Sequence, residues 1–250
     1  MNSVEILGVR LDDVTLNETL DIIEDFIASG QPHAIVTTNT EFVMAAQTDE
    51  EFRNILNSAD LSFPDGVGLI WGLRLLGVQL REHVRGTDTV ERLMERAATK
   101  GYNVFLLGGA EGVAEVAADK LRERYPRLKI AGTYAGSPDP MLDDVTVEII
   151  RKAGHVDILL VAYGAPAQEK WIARNIHRLG VPVAMGVGGV FDFIAGRAKR
   201  APLWVRRIEL EWLYRLLQQP WRWRRQLALP KFAMRVLALK AQSMLGGRNA

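Results

Sequence analysis

The stretch "NVFLLGGAEGVAEVAADKLRERY" (residues 103–125) changes its hydrophobic period halfway along. Its first six residues are a continuous apolar run, short enough for a strand buried on both faces. After "GGAEG" (residues 108–112) the apolar residues return at helical spacing. A buried strand, a glycine turn and an amphipathic helix form the repeating unit of a parallel sheet. The unit recurs outward in both directions. "HAIVTT" (33–38), "LSF" (61–63), "LKIAGTY" (128–134), "DILLVAY" (157–163) and "VPVAMGVG" (181–188) read as further strands. "TLNETLDIIEDFIAS" (15–29) and "AQEKWIARNIHRL" (167–179) read as helices. In the first of these Thr15 and Glu18 have the spacing of a capping box, and Gly30 stands at its end. The expected fold class is α/β, a Rossmann-like open and mostly parallel sheet with helices on both faces.

The unusual residues then fall in one place. "TTNTE" (37–41), "PDGVG" (64–68), "GGAEG" (108–112), "YGAPAQEKW" (163–171) and "GVGGVFD" (186–192) each follow a strand. Ligands of open parallel sheets bind beyond the carboxyl ends of the strands, so these loops should line one crevice. The glycines of "GGAEG" and "GVGG" suit a phosphate cradle, or serve only the geometry of a strand-to-helix turn. Neither follows G-x-G-x-x-G, and no G-x-x-x-x-G-K-[ST] occurs, which argues against a dehydrogenase and a P-loop NTPase. Asp65, between Pro64 and Gly66, is either a base aimed at a substrate hydroxyl or a turn-capping carboxylate. Asp192 is either a ligand for a hydroxyl or a local cap. The histidines at 33, 83, 155 and 177 have no metal-ligand spacing, and Asp143 with Asp144 reads as a helix start, so no metal is expected.

Charge divides the chain. From Arg197 onward there are 13 Lys and Arg residues against two acids, Glu209 and Glu211, whereas the first 196 residues hold 18 basic and 28 acidic groups. The expected organisation is a body over residues 1–196 and a basic helical appendage over 197–250. Four of the six tryptophans lie in the appendage. Trp204, Ile208, Trp212 and Leu216 recur every four residues, the pattern of one apolar helix face. Pro220 and Pro230 should divide the remainder, with "WRWRRQLAL" (221–229) as a middle helix. Tryptophan interleaved with arginine suits an anionic membrane surface, while packing on the body is the plainer use of the stripe. Nothing in the body reads as a nucleic-acid module, so no nucleic-acid partner is expected. No cysteine is present, the start lacks a signal-peptide pattern, and no apolar run reaches a membrane span. The expectation is a cytoplasmic protein, peripheral on the inner face of the membrane, with a homo-oligomer left open.

Taken in order, "TTNTE", "FPDGVG", "HVRGTD", "GAPAQEKW", "GVGGVFDFIAGRAKRAPLW" and "LEWLYRLLQQPWRWRR" resemble the WecG/TagA/CpsF family of bacterial glycosyltransferases across nearly the whole chain. That family moves an N-acetylmannosamine-type sugar from a UDP donor onto a polyprenyl-diphosphate-linked sugar, with inversion and without metal or other cofactor. One branch makes the linkage unit of wall teichoic acid; others use a uronic acid donor or serve capsules and exopolysaccharides. The resemblance implies Asp65 as general base, with Thr37, Asn39 and Gln168 in the active site. It implies a substrate-binding role for Glu41, for Gly108, Gly109, Gly164, Gly188 and Gly189, and for Asp192. Arg215, Arg222 and Arg225 of the appendage would reach over the site, and the appendage would bring the enzyme to its lipid-linked acceptor. One position departs: the family usually reads Arg-Val-x-Gly-x-Asp where this chain has His83-Val84-Arg85-Gly86-Thr87-Asp88. His83 or Arg85 would then take the place of an arginine that helps hold the diphosphate. The rivals are another UDP-hexose or a UDP-uronic acid as donor, and a non-catalytic protein that binds a UDP-sugar or lipid.

Overall fold

In the computed structural model, which describes residues 2–220 and 223–246, the strand at residues 103–108 lies one in from the edge of a six-stranded parallel sheet. After a hairpin of β1 (Ser3–Ile6) and β2 (Val9–Asp12), the sheet strands are β3 (His33–Thr38), β4 (Leu61–Pro64), β5 (Asn103–Gly108), β6 (Lys129–Tyr134), β7 (Ile158–Ala162) and β8 (Val183–Gly186). Their spatial order is β4-β3-β8-β7-β5-β6, all parallel. The six strands expected from sequence are all present, shortened by a residue or two at some ends.

The body's helices are α1 (Leu16–Ser29), α2 (Thr40–Ala45), α3 (Glu50–Ser58), α4 (Val67–Leu75), α5 (Gly86–Lys100), α6 (Val113–Arg124), α7 (Asp143–Lys152), α8 (Ala167–Leu179) and α9 (Val190–Ile194). Alternation within the strands divides them between two cores. Val104, Leu106, Ile158 and Leu160 face α1, α5 and α6, whereas Phe105, Leu107, Leu159 and Val161 face α7 and α8. Both faces are thus covered, which is why the strands read as unbroken apolar runs. At α1 the capping box is complete: Thr15 Oγ1 accepts from Glu18 N–H, and the Glu18 carboxylate accepts from Thr15 N–H.

The hairpin was not expected. Leu7 and Gly8 both take positive φ, the backbone of a tight two-residue turn. It guards the exposed edge of β4, where Asp12, buried, accepts a hydrogen bond from Ser62 N–H at 2.8 Å.

Beyond residue 196 lie α10 (Leu203–Arg207), α11 (Glu211–Gln218), α12 (Trp223–Gln226) and α13 (Ala228–Gly246). Two expectations fail here. The Trp204-to-Leu216 stripe is split between α10 and α11, because Glu209 turns into the left-handed region at φ 62°. Trp204 and Ile208 remain more than half exposed. Pro230 does not end a middle helix but sits in the first turn of α13, where a missing N–H costs nothing. The last helix returns to the body: Phe232 and Val236 are buried with Ile6, Leu11, Phe42, Leu69 and Leu73 in a third core. Gly72 makes room for it, since a methyl there would meet the Phe232 ring at 2.6 Å.

Candidate active site

The loops after β3, β4, β7 and β8, four neighbours in the sheet, open into one cavity of about 290 Å³. The appendage covers it. Lining residues include Thr37, Asn39, Glu41, Asp65, His83, Arg85, Gly164, Gln168, Gly188, Gly189, Arg215 and Arg225, all singled out from sequence. Gly108, Gly109 and Asp192 are not among the lining residues. Arg222 lies outside the described residues. Gly108 has its own explanation: it runs against β7, where a Cβ would stand 2.8 Å from the Ala162 carbonyl carbon, and its φ is 98°. Asp192 acts one layer back, its carboxylate favouring the charged form of Arg215.

Asp65 sits where the chain leaves β4. Its N–H donates to Thr38 O at 2.7 Å, and Gly66 bends the chain at φ 93°. From the other side, Gly86 N–H at the start of α5 donates to the Asp65 carboxylate. A methyl on Gly86 would lie 3.2 Å from Asp65 Oδ2 and 3.1 Å from Thr37 Cγ2, so the carboxylate and the Thr37 side chain meet at one spot. Packing deep in the protein pushes the Asp65 carboxyl above its ordinary value, and Glu211 adds to the rise; Gly86 N–H and Arg85 oppose it. A carboxylate held this way is a stronger base than one in water and still opens to the cavity.

Asn39 caps α2: its Oδ1 accepts from Glu41 N–H at 2.9 Å and Phe42 N–H at 3.2 Å. That commits the oxygen to the helix and leaves the NH₂ for a ligand. Gln168, 2% exposed, works as a bracket. Its Oε1 accepts from Gly164 N–H (3.0 Å) and Gly188 N–H (2.9 Å), joining the β7 and β8 loops. These two amides, of glycines expected to bind substrate, are therefore engaged by Gln168.

Sequence reasoning passed over three carboxylates. Glu169 holds the Gln168 amide, whose Nε2 donates to Glu169 Oε1 at 2.6 Å, and its Oε2 has no partner among the described residues. Burial pushes the Glu169 carboxyl up to about 7, against a smaller opposing effect of the Gln168 hydrogen bond. Glu209 and Glu211, both in the cavity lining, are the other two. Their signal was available: they are the two acids among 13 basic residues, and each is used. Glu209 pairs with Arg85 at 2.7 Å, and Glu211 meets Arg200 at 3.5 Å.

The cationic side comes from the appendage. Arg215 stacks over the Phe193 ring at 4.7 Å, and burial together with nearby Arg225 pulls its guanidinium below the usual range. Arg225 reaches Glu41 across the mouth, with Nη2 to Oε2 at 2.6 Å. The site thus sets a carboxylate and a threonine on the sheet side against arginines on the appendage side.

Comparison with known proteins agrees with the motifs. The family model described as "Glycosyl transferase WecG/TagA/CpsF family" matches residues 4–245. A relative from Bacillus subtilis (strain 168) is 36% identical over 239 residues, covering 95% of this chain and 92% of that one. It carries the name N-acetylglucosaminyldiphosphoundecaprenol N-acetyl-beta-D-mannosaminyltransferase. A protein of the same name from Staphylococcus aureus (strain MW2) is 33% identical, covering 95% of this chain and 93% of its own. A third, from Bacillus spizizenii, is 36% identical over 81% of this chain and 78% of its own.

Proposed function

Because the chain belongs to the WecG/TagA/CpsF family of glycosyltransferases, we propose that it transfers N-acetylmannosamine from a UDP donor to N-acetylglucosaminyl-diphospho-undecaprenol. The relatives' names supply the transferred sugar and the acceptor. The observation that carries the chemistry is the convergence of a half-buried Asp65, its carboxyl raised above the ordinary value, with Thr37 on a cavity whose far wall is arginine.

The reaction is a single displacement with inversion. Asp65 takes the proton from the acceptor hydroxyl while that oxygen bonds to the anomeric carbon. The bond from that carbon to the diphosphate oxygen breaks, and UDP leaves with the electron pair. Arg215 and Arg225 offset the charge that develops on it. Thr37 and the Asn39 NH₂ orient the sugar, while Gln168 keeps the β7 and β8 loops in register beneath it. Asp65 must be ionised to act, so turnover rises with pH through its elevated value, and the acid limb lies above that of an ordinary carboxylate.

The appendage is lid and membrane foot together. Leu203, Trp204, Ile208, Leu217, Trp223, Met234 and Leu237 are all more than half exposed and alternate with basic residues. Such a surface suits the headgroup region of an anionic bilayer, where the acceptor's lipid lies. No helix among the described residues is long and apolar enough to cross a membrane, so this association is peripheral.

The test is UDP release from UDP-N-acetylmannosamine and a lipid-diphosphate-linked N-acetylglucosamine in EDTA, with Asp65→Asn alongside. Turnover should survive chelation and fall by about 10²–10⁴ in the variant. Near-normal turnover by Asp65→Asn would remove the base, and turnover only with another UDP-sugar would change the donor.

A further inference from the structure

We propose that Glu209 and His83 are positioning residues, a two-step relay through which the docked appendage sets the turn that carries Asp65. The proposal rests on Asp65 being the base. Gly66 N–H, at the bend beside Asp65, donates to His83 Nε2 at 3.0 Å. A ring nitrogen that accepts carries no proton, so the imidazole is neutral with its proton on Nδ1. Nδ1 faces Glu209, 3.3 Å away, and donates to it.

Glu209 is well held for the task. It also accepts from Arg85 at 2.7 Å, and Arg85 donates to Arg206 O at 3.3 Å, closing the arrangement on α10. Its φ of 62° is rare for a residue with a side chain. The bend turns the carboxylate back onto two loop residues of the body and splits α10 from α11. His83 is 13% exposed and Glu209 37%, so the relay runs along the cavity wall rather than in open solvent.

The relay also accounts for the sequence departure at position 83. An arginine has five donors and no acceptor, and could not receive Gly66 N–H. Histidine here trades a permanent cation for a group that accepts on one side and donates on the other. His83 is then not a diphosphate ligand, and Arg85 is tied to Glu209 rather than free for one.

Four measurements test this on the full-length protein. In unmodified protein, ¹⁵N-labelled histidine should report His83 as neutral, protonated on Nδ1; a proton on Nε2 would overturn the relay whether or not a donor is known. In turnover, His83→Phe and Glu209→Ala should each lower kcat by about 10- to 100-fold with donor KM little changed, as expected for a misplaced base. The double variant should lose no more than the worse single one, because both break the same chain. His83→Gln, which can accept and donate, should recover much of the loss. Losses that multiply in the double variant, or a glutamine no better than phenylalanine, would overturn the proposal. Wild-type protein inactive with every donor would instead defeat the functional reading and leave the tautomer measurement standing.

Discussion

The two walls of the cavity are held by different means. On the sheet side, the groups are fixed by backbone: Asp65 between Thr38 O and Gly86 N–H, Gln168 between Gly164 and Gly188. On the appendage side, the arginines arrive at the end of a segment that meets the body through side chains. Arg200 pairs with Asp88, Glu209 with Arg85, and Arg225 with Glu41, while Phe232 and Val236 plug a core. Backbone partners hold the proposed base with no long side chain to order on the partner's side. Side-chain docking is weaker and reversible, and suits a wall that must admit the lipid-linked acceptor of the proposed reaction. Perturbations should therefore sort by which wall they strike.

The largest stability effect should come from the plug. Phe232 is 1% exposed, and its neighbours belong to the hairpin, α2 and α4. Truncating such a ring leaves a cavity, and Phe232→Ala should destabilise the whole protein by about 3–5 kcal/mol. Chemical denaturation followed by far-UV circular dichroism measures it. A midpoint left in place, with only the appendage cut faster by protease, would mean that the last helix rests on the body without completing it.

A second prediction sharpens the sheet side. The Glu169 carboxyl, pushed up to about 7 from an ordinary 4.5, holds its proton in the folded state where the unfolded chain has lost it. The native state then binds more protons across that window, so stability falls as pH rises from about 4.5 to about 7. The loss is on the order of 3 kcal/mol. Glu169→Gln keeps the shape and an acceptor for Gln168 but cannot ionise. Its Tm should exceed the parent's at pH 8 and match it at pH 5. An equal gap at both values would mean that Glu169 ionises in the fold as readily as in the unfolded chain.

The same division explains what could be read in advance. The sheet strands were legible because burial on both faces leaves continuous apolar runs, and the loops because a parallel sheet gathers its ligands at one edge. Asp65 came from its turn and from the family motif together. The hairpin escaped because its turn is Leu7-Gly8, whose leucine hides a conformation usually announced by Asn-Gly. The bend at Glu209 escaped because helical spacing continues straight through it; only a tertiary partner, Arg85 and His83 in a loop 124 to 126 residues earlier, selects the break. The bracket at Gln168 escaped for a similar reason, since its acceptor is filled by an amide 20 residues away.

The smallest effect tests the docked wall directly. Arg225 and Glu41 are 43% and 26% exposed, so their pair is largely open to water. Coulomb attraction there is weak, and two long side chains lose freedom to make it. A double-mutant cycle on Arg225→Ala and Glu41→Ala should give a coupling of about 0.2–1 kcal/mol in stability at low salt. In 1 M salt, where screening acts over about 3 Å, most of it should vanish. A coupling that keeps its size in salt would mean that the pair is closed off from solvent and that the appendage is locked rather than docked. A small, salt-sensitive coupling leaves Arg225 free to exchange Glu41 for an incoming diphosphate, as the proposed reaction requires.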